Sequence, residues 1–294
     1  MNFRTDLALE RKEYIDKHDL DGIISHKKTV DGITVDTIKV INEKGERTLG
    51  KPKGTYVTVE TVPFTRNSEL FSPSLYVLRD ELKSLLPKEK GCVLVAGLGN
   101  EDITPDALGP RCISMLFATR HIPDSFIKET GLPPLRSVAG IIPGVLGKTG
   151  MESSEIISGI VKKINPCAVI AVDALASRST ERLGRTVQLC DTGISPGSGV
   201  GNSRKVINEK NIGVPVIGIG VPTVVDGRTL AFDILTKSGV SEEAIKKRDI
   251  KDGMMVTPKE IDALIDRAAR LIAMAINTAL HPDMDGEDIL SVVS

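Results

Sequence analysis

The sequence predicts an α/β protein: a central mixed, mostly parallel sheet flanked by helices, with a small antiparallel subsheet near the N-terminus. Three observations predict it. The runs 92–96 (CVLVA), 167–172 (CAVIAV) and 214–219 (VPVIGI) are apolar throughout, as strands covered on both faces should be. Helix-spaced segments lie between them, and this order gives parallel strands joined by right-handed crossovers. Residues 21–62 instead alternate polar and apolar, the mark of strands with one wet face. The 294 residues are enough for one large core, so the chain reads as a single domain over 1–294 with the subsheet at 21–62 inside it. A soft boundary falls near residues 62–72.

Residues 1–20 are charged, with Leu7, Leu9 and Tyr14 scattered among them, and fit a short helix or an arm. In 21–62, turn residues at Asp31-Gly32, Lys44-Gly45 and 50–54 separate alternating runs at Ile33–Val40 and 56–59. That pattern is an antiparallel meander. A helix starts near Ser72-Pro73 and stops before Pro87, with a stripe of Leu75, Val77, Leu78, Leu82, Leu85 and Leu86. Residues 111–120 read as helix and 136–142 as a short strand. Residues 150–164 form a helix striped by Ile156, Ile160, Val161 and Ile164, ended by Asn165-Pro166. A short strand at 187–190 leads into a Gly/Ser loop, 191–205. Residues 242–252 are charged and read as exposed. The last long helix begins at Thr257 as N-cap, with Pro258 as first helical residue and Glu260 as capping-box acid. Its stripe runs from Ile261 through Leu264, Ile265, Ala268, Leu271, Ile272 and Ala275, and it ends near Leu280.

Composition narrows the function. Net charge is −1, so no global field draws the chain to nucleic acid or an anionic membrane. Trp is absent and aromatic content is 3%, which argues against a base-stacking surface. No apolar run is long enough to span a bilayer, and the polar N-terminus lacks the apolar core of a signal peptide. The expected location is the cytoplasm. Cys92, Cys112, Cys167 and Cys190 occur singly in apolar surroundings and read as core thiols. His18, His26, His121 and His281 show no ligand spacing, and no HExxH motif is present, so neither a metal nor a cofactor is expected.

Three patterns could carry chemistry. Gly97-Leu98-Gly99-Asn100-Glu101-Asp102 follows a strand, but a dinucleotide fingerprint needs a small residue where Asp102 stands. Gly147-Lys148-Thr149 resembles the end of a phosphate loop, yet Ile142 occupies the position of that loop's first glycine. The third pattern is the pair Asp106 and Asp173, each placed after an apolar strand. If the strands are neighbours, both carboxyls reach one sheet edge. Two close carboxyls cannot both ionise easily, so one keeps a proton and the pair can serve as acid and base on a water molecule. Asp106 also fits a helix first-turn acid after Thr104-Pro105, and Asp173 also fits an N-cap before Ala174. The loop residues Gly193, Ser195, Gly197, Gly199 and Gly201 offer a concave run of backbone N–H groups. Such a run can bind substrate or an oxyanion, or serve as a plain surface loop.

Separate blocks, in order along most of the chain, resemble the germination protease family of endospore-forming bacteria. They are RTDLALE (4–10), EKGERTLGKPKGTYVTVE (43–60), GLGN with TPDALGP (97–110), PGVLGKTGMESSEII (143–157), AVDALASRS (171–179), DTGISPGSGVGNSRK (191–205) and IGVPTVVD (219–226). The resemblance implies an atypical aspartic-type endopeptidase that initiates degradation of small acid-soluble spore proteins during germination. It implies catalytic roles for Asp106 and Asp173, and a fold similar to hydrogenase-maturation endopeptidases. It also implies a self-processing zymogen with a propeptide at 1–6 cut between Asp6 and Leu7, a homotetramer, and a place in the forespore and spore core. Direct binding of nucleic acid or membrane is not expected. Two alternatives stand beside this reading. One is a metal-dependent, maturation-type endopeptidase using Asp106, Asp173 and a third ligand. The other is a nucleotide-binding regulator using Gly147-Lys148-Thr149.

Overall fold

The computed structural model describes residues 5–13, 15, 20–66, 69–201, 204–241, 244 and 253–293. Expectations for residues 1–4, 14, 16–19 (His18 among them), 67–68, 202–203 and most of 242–252 lie outside them. Nine strands among the described residues form one sheet: β1 (Ile23–Val30), β2 (Ile33–Val40), β3 (Gly54–Glu60), β4 (Val93–Gly97), β5 (Val138–Ile141), β6 (Ala168–Ser177), β7 (Thr186–Cys190), β8 (Val216–Asp226) and β9 (Met255–Val256). Their order is β1-β2-β3-β7-β8-β6-β4-β5, with β9 added on β8. Strands β8, β6, β4 and β5 are parallel neighbours. Strands β1, β2, β3, β7 and β8 run antiparallel to one another in turn. The N-terminal antiparallel strands therefore join the parallel half edge to edge, through β3 on β7 and β7 on β8.

The two faces differ. On one, Val35, Val57, Val59, Val95, Ile170 and Val172 form a continuous core with the helices Pro73–Leu85 and Ile261–Leu280. On the other, the apolar surface is split in two. Val169, Ala171 and Leu94 pack under the helix Ser153–Ile164, while Ile38, Tyr56 and Cys190 pack under the helix Ala8–Lys12. Beside these clusters, two residues along each strand, runs a polar row read directly from the register: Asp173 opposite Gly220, Gly220 opposite Gln188, Gln188 opposite Thr58, and Thr58 opposite Asp36. Paired residues share a face, so these polar side chains leave a seam that no apolar layer can close.

Several sequence expectations need correction. Strand β6 does not end before Asp173; it continues to Ser177, because residues 173–177 pair with β8 up to Val225. Residues 43–49 are a helix rather than a turn in a meander: Asn42 caps its start by accepting from Gly45 N–H, and Gly50 closes its end in the left-handed conformation. The helix after Asp106 is short, Leu108–Ser114, because Phe117 N–H donates to the side chain of Asn277 instead of continuing the turn. The buried face of Ser153–Ile164 is Ser154, Ile157 and Val161, rotated from the predicted stripe. The last long helix starts at Ile261. Thr257 does not cap it; its hydroxyl donates to Thr223 O at 3.0 Å.

Candidate active site

Strand β4 delivers the chain to a turn folded tightly on Asp106. Gly99 sits at φ +108°, and a Cβ there would lie 2.0 Å from Asp106 O. Only glycine allows this approach. Asn100 N–H donates to Asp106 O at 3.1 Å and to Asp106 Oδ2 at 2.8 Å. The glycines that resemble a nucleotide fingerprint thus hold a carboxylate. Asp106 ends a single 3₁₀ turn, Thr104–Asp106, and its side chain turns back to Asn100 rather than capping the helix Leu108–Ser114.

Asp173 is mid-strand in β6 and 5% exposed. No helix follows it, so it is not an N-cap. Its Oδ1 accepts from Ala174 N–H at 2.9 Å. Burial, then the charges of Asp106 and Asp6, push its carboxyl well above the ordinary range. Burial also raises Asp106, against the pull of Asn100 N–H. Removal from water penalises the charged form, and it does so more strongly at the more buried Asp173 than at Asp106.

Both aspartates line one cleft of about 540 Å³, together with Asn100, Leu146, Glu152 and Arg204. Asp6 also lines it, so the cleft holds four acids: Asp6, Asp106, Glu152 and Asp173. Its backbone N–H donates to Ala176 O at 2.9 Å, and Ala176 N–H returns a bond to Asp6 Oδ2 at 2.9 Å. Ser198 Oγ donates to Asp6 Oδ1 at 2.6 Å. A Cβ on Gly199 would meet Asp6 Oδ2 at 2.2 Å, so this glycine makes room for the carboxylate. Leu7 is fully buried beside it, and Gln188 binds Ala8 N–H at 2.7 Å and Asp6 O at 3.2 Å. The N-terminal segment lies in the polar seam.

The loop predicted as one binding element is divided. Gly197 and Gly199 face the aspartate cleft. Gly193 and Ser195 line a second cavity of about 200 Å³, with Arg11, Lys51 and Cys190. Gly201 ends the 3₁₀ turn Ser198–Val200, its N–H on Ser198 O at 3.4 Å. Ser198, Gln188 and Thr223 escaped sequence reasoning, because each acts on a segment more than 100 residues away. For Gln188 and Thr223 the available signal was a lone polar side chain in an apolar run; Ser198, in the Gly/Ser loop, carried none.

Gly147-Lys148-Thr149 belongs to a short helix, Leu146–Thr149, whose Lys148 pairs with Asp102. A phosphate loop would leave that ammonium for the ligand. Among the described residues, no group of three or more His, Cys, Asp or Glu is arranged to hold a metal ion. Both oxygens of Asp6 accept hydrogen bonds, from Ala176 N–H and Ser198 Oγ. No helix among the described residues is long and apolar enough to cross a membrane.

An α/β sheet that brings Asp106 and the mid-strand Asp173 into one cleft offers a site for acid–base chemistry, and comparison gives the class, a protease. A profile of the germination protease family matches residues 4–238. The chain is 42% identical to a germination protease of Clostridium perfringens, with 98% of each chain covered. It is 39% identical to one of Caldanaerobacter subterraneus (98% and 97% covered) and 35% identical to one of Priestia megaterium (97% and 95% covered). The chain belongs to the germination protease family. Among solved structures, a [NiFe] hydrogenase maturation protease, HycI, of Thermococcus kodakarensis gives a distant likeness. Its TM-score is 0.35 and its identity 16%, over 67% of this chain and 98% of that one.

Proposed function

We propose that this spore-germination endopeptidase hydrolyses peptide bonds with Asp106 and Asp173 as a paired acid and base, acting on small acid-soluble spore proteins. The observation that carries the reading is the shared cleft, in which the Asp106 charge helps keep Asp173 protonated. Asp106 takes a proton from water, and the hydroxide adds to the scissile carbonyl. Asp173 gives its proton to the departing amine as the C–N bond breaks. Asp106 is then protonated and Asp173 ionised, and one proton transfer through solvent restores the pair.

The same cleft supports self-processing. Asp6 is hydrogen-bonded to Ala176 of β6 and lines the cleft that holds both carboxyls, as a substrate residue would. We therefore place the processing point between Asp6 and Leu7, with the propeptide at 1–6, and retain the homotetramer and the spore-core location that the family resemblance implies.

The test uses the purified full-length chain. Asp106→Asn and Asp173→Asn should each lower cleavage of a small acid-soluble spore protein by at least about 10²-fold. Both should keep the wild-type circular dichroism, and mass spectrometry should find no new N-terminus at Leu7. Wild-type turnover by either variant would refute the pairing.

A further inference from the structure

Thr223 is a hydroxyl where an apolar residue is expected. It stands among Val221, Val224 and Val225 in β8 and is 1% exposed. A buried hydroxyl in such a run costs free energy unless it is bonded, and here it is. Thr223 Oγ1 donates to Pro105 O at 2.8 Å, one residue before Asp106.

The backbone explains the aim of this bond. In the β6–β8 ladder Leu175 pairs with Pro222 and Ala176 with Val224. Thr223 is the extra residue of a β-bulge, opposite the stretch two to three residues past Asp173. Bulges of this kind re-aim a side chain and recur beside active sites. Pro222 has no N–H to offer the ladder, and its carbonyl is taken from outside the pair by Gly184 N–H at 3.2 Å. Thr257 Oγ1 holds the Thr223 carbonyl at 3.0 Å, which fixes the bulge from the other side.

Asp106 and Asp173 are carried by different pieces of chain. One rides on a single 3₁₀ turn and the other on the central strand β6. The Thr223 bond ties the first piece to the strand paired with the second. We infer that Thr223 is the positioning residue of the site: its hydroxyl, through Pro105, sets the distance and orientation of Asp106 relative to Asp173. The inference rests on the paired-aspartate reading above.

Thr223→Val keeps the shape and removes only the hydroxyl. It should lower kcat on a small acid-soluble spore protein by about tenfold or more, because ångström-scale misplacement of a catalytic group carries penalties of this order. KM should stay within about twofold, since binding elsewhere in the cleft is untouched. The acid limb of the pH profile should move to higher pH, because a loosened Asp106 loses the Asn100 N–H that favours its charged form. Thr223→Ser should restore kcat and the profile. Wild-type kcat and pH profile in Thr223→Val would overturn the inference. Equal losses in the Val and Ser variants would do so too, as would unfolding of Thr223→Val and Thr223→Ala while Thr223→Ser folds. Asp106→Asn is run alongside. If it is inactive while Thr223→Val is normal, the positioning role alone fails; if it is active, the paired-aspartate reading fails with it.

Discussion

Burial acts on Asp173 and His281 with opposite electrical sense. It disfavours charge on both, so it raises the carboxyl and lowers the imidazole. His281 is 1% exposed, with its ring edge-on to Phe117 at 5.1 Å between centroids. Burial pushes its pKa down from 6.5 to about 4, against a smaller upward pull from the Phe117 backbone. The unfolded chain protonates this ring through pH 6.5, whereas the folded one resists to about 4. Its contribution to stability is therefore complete above pH 6.5 and lost as pH falls to about 4, a loss of about 3 kcal/mol. Asp173 slopes the other way: with a raised folded pKa, it stabilises at low pH and ceases to do so as pH rises. His281→Leu separates the two, because Asp173 is present in both proteins. Urea midpoints between pH 7 and 4 should fall less in the variant than in wild type. Parallel pH curves would show that the imidazole is not the acid-sensitive group.

At the scale of elements, the segment 5–12 is docked by Asp6 at one end and by Glu10 at the other. Glu10 is buried; Oε2 accepts from Arg178 N–H at 2.7 Å and Oε1 from Ser179 N–H at 3.0 Å, with Thr5 Oγ1 and Arg182 also on it. Glu10→Ala leaves the N–H groups of Arg178 and Ser179 without their acceptor, while Arg182 keeps Glu13 and Glu60, so it should cost about 2–3 kcal/mol. Hydrogen exchange should show residues 5–12 losing protection before β6 does; unchanged protection there would place the anchor elsewhere. The strand cores were legible in the sequence because β4, β6 and β8 are apolar runs, and the helix Pro73–Leu85 because of its stripe and its Pro start. The continuation of β6 past Asp173 and of β8 past Pro222 was not legible, since an acid and a proline both read as strand ends. Only their pairing across the bulge overrides that local signal. The helix Glu43–Leu49 was hidden by its polar sequence, although its Asn42 cap and Gly50 stop were visible. Asp106 and Asp173 were legible as a pair by position after apolar runs. The reach of Ser198, Gln188 and Thr223 was not, because it exists only once distant strands are neighbours.

For the whole molecule, the decisive feature is that the antiparallel strands share a core with the parallel half. Ile33, Val35, Val57 and Val59 lie in the same apolar cluster as Val95, Ile170 and the helix Ile261–Leu280. Val35→Ala should cost about 2 kcal/mol, and protection of β6 amides should fall together with that of β2. A loss confined to β1–β3 would make the subsheet a separate unit. The contacts that fill the polar seam have a further consequence, in time. Asp6 meets Ala176 across 170 residues, Ser198 across 192 and Gln188 across 182. Residue 6 should thus find its partners late, since β6, β7 and the Ser198 turn must exist before it has anywhere to go. Long-range closure of this kind is slow and comes late. The cleft is therefore expected to form before Asp6 enters it.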